Sequence, residues 1–74
     1  MSDAHHEILA RAVRALDGPW DTTRAMTVLR NAGVTAADEL AAQKQARTAL
    51  RRLRDDGLLV PLDSPGNTAV YRQA

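Results

Sequence analysis

Ala46-Arg47-Thr48-Ala49-Leu50-Arg51-Arg52-Leu53-Arg54-Asp55-Asp56-Gly57-Leu58-Leu59 holds two kinds of order in one stretch. Up to Leu53 the apolar residues step by three and four. At roughly 100° per residue Ala42, Ala46, Ala49, Leu50 and Leu53 share one helix face. Gly57 supplies the stop, as a residue that accepts a left-handed backbone at a helix end. The pattern then changes. Leu58-Leu59-Val60-Pro61-Leu62 and Thr68-Ala69-Val70-Tyr71-Arg72 read as two short strands. Asp63-Ser64-Pro65-Gly66-Asn67 lies between them, with Pro and Gly placed for a type II turn. Pro61 cannot donate to a ladder, so its strand is expected at a sheet edge.

Upstream of this stretch the spacing predicts two more helices. Ile8, Leu9, Ala12, Val13 and Leu16 form one amphipathic stripe, with Ser2 or Asp3 as cap and Gly18-Pro19 as the stop. Trp20 precedes Asp21-Thr22-Thr23, a helix start in which Asp21 or Thr22 caps and Trp20 sits where a hydrophobic staple would. Met26, Leu29 and Ala32, beside Ala25 and Val28, form the second stripe, and Gly33 ends it with Val34 as an apolar plug. Thr35-Ala36-Ala37-Asp38 opens the third helix, with Asp38 near its positive end. No Gly or Pro interrupts residues 35–56. Leu40 falls nearly opposite the apolar face, so either the helix bends or breaks near Ala42 to Lys44, or Leu40 packs against another neighbour. The expected elements are helices at about 3–16, 22–32 and 35–56, the last intact or split in two, and a hairpin at about 58–72.

Composition agrees with a mainly α domain. The chain has 74 residues, fourteen of them Ala and nine Leu, with one Trp, one Tyr and no Phe. Ala and Leu suit close-packed helices better than a sheet sandwich. A chain this short buries only roughly 60% of its unfolded surface and is marginally stable. It contains no Cys, which removes disulfides, Cys zinc sites and thiol catalysis. No run approaches the ~20 apolar residues of a membrane span and the first residues do not read as a signal peptide, so a soluble, cytoplasmic protein is expected. No Ser/His/Asp grouping, Gly-rich phosphate loop or metal motif supports an enzyme, and no cofactor or metal is expected. His5-His6 do not face one way on a helix and have no third ligand near them, so they read as structural or solvent-exposed. Asp55-Asp56 read as ion-pair partners for Arg51 or Arg52. Trp20 and Tyr71 read as core, the latter with its hydroxyl at the rim.

The net charge is only +1, yet five cations and no acid lie between Lys44 and Arg54. Lys44, Arg47, Arg51 and Arg54 fall within roughly 80° of arc beside the apolar face. Such a stripe can follow a phosphate backbone, and a helix fits the major groove. Gln43, Gln45 and Thr48 lie among the cations and can reach base edges. Asp38 and Glu39 oppose entry of the helix start into a groove.

The order helix, helix, helix, hairpin, with Leu50, Leu53, Gly57, Leu58 and Leu59 at their spacing, resembles the winged helix-turn-helix family. Val28-Leu29 and Ala32-Gly33-Val34 look like its second helix and turn, and the hairpin with Tyr71 looks like its wing. The likeness covers roughly residues 22–72. Gly33 stands seventeen positions before Leu50, about two helical turns more than in familiar members. The resemblance implies a single domain that binds double-stranded DNA sequence-specifically. It would be a small bacterial transcriptional regulator, or the DNA-binding part of a replication, plasmid or phage protein. It further implies a homodimer or a larger parent protein. The expected contacts are Gln43, Lys44, Arg47, Thr48, Arg51 and Arg54 on the third helix. Thr22 and Thr23 at the second helix, and Asn67 and Arg72 of the wing, complete the set. The rival reading is a winged-helix module that binds protein through the hairpin or first helix, because fold does not fix function.

Overall fold

The computed structural model describes residues 3–62 and 69–74. It consists of three helices, α1 (Asp3–Ala15), α2 (Thr22–Asn31) and α3 (Glu39–Asp55), followed by an antiparallel hairpin of β1 (Leu59–Leu62) and β2 (Val70–Gln73). The expected cap Ser2 and the turn at 63–68, with Asn67, lie outside the described residues.

Both glycine stops operate through the same local chemistry. Gly33 and Gly57 take φ of 91° and 84°. At the end of α2, Gly33 N–H donates to Arg30 C=O (3.0 Å) and Val34 N–H to Leu29 C=O (3.0 Å). At the end of α3, Gly57 N–H donates to Arg54 C=O (3.1 Å) and Leu58 N–H to Leu53 C=O (2.9 Å). This paired pattern is the Schellman motif, which satisfies carbonyls the helix leaves open. In each case the residue after the glycine, Val34 or Leu58, packs onto the core.

The third helix starts later than the spacing predicts. Residues 35–38 are not helical; Asp38, in an extended conformation, is the cap, and its carboxylate accepts from Ala41 N–H at 2.8 Å. Thr35 contributes its carbonyl to Gln45 Nε2 at 3.3 Å. Seating Val34 against Leu29 leaves the chain needing an extended bridge before α3 can turn inward, and Asp caps somewhat better than Thr. Asp38→Ala should therefore cost about 0.5–2 kcal/mol, whereas Thr35→Ala should stay within about 0.5 kcal/mol. Urea melts of the two variants check this.

The core is built by Leu9 and Val13 of α1, Trp20 between α1 and α2, Ala25 and Leu29 of α2, Ala46, Ala49, Leu50 and Leu53 of α3, and Leu59 and Tyr71 of the hairpin. Two residues placed on apolar stripes are exposed instead: Leu16, past the end of α1, and Ala32, the residue that caps the C-terminus of α2. Leu40 is 75% exposed. The helix neither breaks near Ala42–Lys44 nor turns Leu40 onto another element; α3 runs through as one helix and holds Leu40 on its outer side.

Leu59 and Tyr71 pack the hairpin onto the helical core, and the backbone of Trp20 pairs with β2. Trp20 and Tyr71 exchange both backbone hydrogen bonds, at 2.7 and 2.8 Å. Tyr71 also stands opposite Pro61 in the hairpin register. Because Tyr71 spends its N–H and C=O on Trp20, it faces Pro61 as a non-hydrogen-bonded pair, where a missing N–H costs nothing. β1 is thus an edge strand and β2 lies between it and Trp20.

Candidate nucleic-acid interface

The uninterrupted α3 fixes how its polar residues face. Ala46, Leu50 and Leu53 point inward, so the opposite line runs through Leu40, Lys44 and Arg51. Lys44, Arg47, Arg51 and Arg54 are all exposed. Among the described residues Lys44, Arg47 and Arg51 have no ion-pair partner. The acids near the helix sit at its ends. Asp38 and Glu39 lie at the start, where carboxylates complement the helix dipole. Asp56 holds Arg52 at 3.4 Å, and Asp55 holds Arg54 at 3.1 Å. The aspartates thus pair with Arg52 and Arg54, and Arg51 is left to solvent.

A groove of about 360 Å³ runs along one flank of α3. Gln43, Arg47 and Arg51 form one wall, and Thr22 and Thr23 at the start of α2 form the other. Tyr71 and Ala69 close its hairpin end. Among the described residues no acid lines it. Asp21 caps α2 by accepting from Arg24 N–H at 2.8 Å, which leaves other first-turn amides beside Thr22 and Thr23 without an intrahelical acceptor. Those amides and the two arginines converge on one strip of surface, an arrangement suited to an anion.

The structure separates the remaining expected contacts. Lys44 and Thr48 border a second groove, on the α1 side of α3. Arg54 is engaged by Asp55. Arg72 follows Tyr71 on β2 and therefore projects from the opposite face of the hairpin, where it bonds the Gln73 carbonyl at 3.3 Å. Gln45 turns from the cation stripe toward Thr35. Asn67 lies outside the described residues.

Two features escape sequence reading. Tyr71 is core as expected, but its place at the end of the groove between α2 and α3 has no signal in the spacing. Arg24 looks like another surface cation, yet its guanidinium lies 4.1 Å from the Trp20 ring centroid and donates to the carbonyls of Pro19 and Asp17, both at 2.9 Å. It fastens the α1–α2 loop. Its distance of four residues from Trp20 was the only available hint.

Among the described residues no helix is long and apolar enough to cross a membrane. Against known proteins, no family model matches this chain, and neither a curated protein nor a solved structure does.

Proposed function

We propose that the chain is a double-stranded DNA-binding domain that presents α3 to the major groove and reads sequence there. The observation that carries this reading is the groove joining Arg47, Arg51 and Gln43 to the start of α2, with no acid among the described residues that line it. Arg47 and Arg51 are the candidates for guanine edges or phosphates, Gln43 for an adenine edge, and Thr22 with Thr23 for a phosphate. Arg54 and Arg72 are assigned supporting backbone contacts. The element order and the Leu50-to-Leu59 pattern support a winged-helix assignment, and with it a role as a small transcriptional regulator or the DNA-binding part of a replication, plasmid or phage protein. A second copy or a larger parent chain would supply the remaining binding surface.

Titration of a labelled random-sequence duplex over a range of salt tests this. Each neutralised phosphate contributes about −0.9 to the slope of log K against log salt, so four contacts give about −3.6. The expected outcome is binding at low salt with a slope of at least about −3, and a subset of sequences retained at higher salt in a selection from a random pool. A slope near zero, or no binding at low salt, would leave the protein-binding module as the better reading.

A further inference from the structure

The second groove on α3 faces the other way from the first. It has a volume of about 410 Å³. Ala41 and Ala49 floor it, Lys44, Thr48 and Arg52 rim it from α3, and His5 and His6 rim it from the first turns of α1. Both histidines are half-buried there rather than free in solvent. Among the residues whose side chains are described, no acid lines this groove either. On α3 the two grooves lie about 70° to either side of the outward line through Lys44. A helix of about 10–12 Å diameter fills a major groove about 12 Å wide and has a phosphate backbone on each flank.

Resting on the DNA-binding reading, we propose that His5 and His6, with Lys44, Thr48 and Arg52, form a second phosphate site that takes the DNA strand on the far side of α3 from Thr22 and Arg47. The cations of this rim are complementary to a polyanion. The hydroxyl of Thr48 adds a donor, and the alanine floor leaves room for the sugar edge. Arg52 remains bonded to Asp56, 53% exposed, and can bridge to a phosphate from that position. The groups that face the histidines are Lys44 and Arg52 from α3 and, for His6, also Glu7, Arg11 and Arg14 of α1 and Asp56. A protonated imidazole carries a positive charge and two N–H donors, so this flank holds phosphate more strongly when its histidines are charged.

The test is duplex binding at pH 8 and pH 5.5, each over a salt series, with folding followed by circular dichroism. The parent should bind about tenfold more tightly at pH 5.5, with a salt slope steeper by about one to two, one for each imidazolium that meets a phosphate. The pair His5→Gln and His6→Gln should bind like the parent at pH 8 and lose the pH dependence. The pair His5→Arg and His6→Arg should show the steep slope and the tight binding at both pH values. Parent binding that depends on Arg47 and Arg51 but is indifferent to pH and to both histidine pairs would overturn this site alone. Absence of duplex binding at either pH would overturn the DNA-binding reading and the site with it.

Discussion

Reversing the charge at Arg47 and Arg51 together should abolish duplex binding and leave the fold intact. Both side chains are exposed, and neither makes an ion pair among the described residues. Exposed charges contribute little to folding, so the melting temperature should move by only a few degrees. The effect on binding should be large for two reasons. A guanine-edge contact discriminates by about 1–3 kcal/mol, and two are lost at once. Two carboxylates would also stand against a phosphate strand beside Thr22 and Thr23, where the helix amides now favour an anion. Binding should fall at least about a hundredfold, against about 1–3 kcal/mol for Arg47→Ala or Arg51→Ala alone. Arg54→Ala should have a smaller effect, because Arg54 already divides its charge with Asp55. It should weaken binding to all sequences alike and flatten the salt slope by less than one unit. If the folded double reversal binds as tightly as the parent, α3 is not the reading surface, and the hairpin or α1 becomes the candidate interface for a protein.

The parts of this fold that were legible in the sequence are those decided by local chemistry. Gly33 and Gly57 announce their helix ends because few residues besides glycine accept that backbone, and the apolar residue after each completes the motif. The buried face of α3 follows from a single helical period that places Ala46, Leu50 and Leu53 together. The start of α3 was less legible because Thr35 and Asp38 are both capping residues, and the choice between them depends on where Val34 packs. Leu40 misled for a related reason. An apolar residue off the stripe suggests a break, yet one exposed leucine is cheap and a broken helix is not. The Trp20–Tyr71 bridge has no periodic signature, since one residue cannot alternate. The same limit applies to the interface. The cation stripe is a property of α3 alone and could be read from spacing. Its division between two grooves depends on where α1 and α2 lie against α3, which is set by tertiary packing, so Lys44 and Thr48 could not be assigned apart from Arg47.

Trp20→Ala should cause the largest loss of stability of any single substitution here, about 3–5 kcal/mol. Trp20 is fully buried and is the largest side chain in the core. Its backbone holds β2 through Tyr71, and its ring lies under Arg24, which in turn ties down the α1–α2 loop. Removing the ring leaves a cavity and also frees Arg24 from its stacking partner, so the loop loosens with the core. Domains of this size have only about 4–11 kcal/mol to lose, at roughly 0.05–0.15 kcal/mol per residue. The alanine variant should therefore be largely unfolded at 37 °C, with loss of helical ellipticity. Trp20→Phe provides the contrast. Among the described residues the buried indole Nε1 has no hydrogen-bond partner, and an orphaned donor costs about 1–3 kcal/mol. Phenylalanine removes that donor while keeping most of the ring, so it should cost less than half of what alanine costs. Equal destabilisation by Phe and Ala in urea melts would mean that the indole N–H, rather than ring volume, is what the core requires at this position.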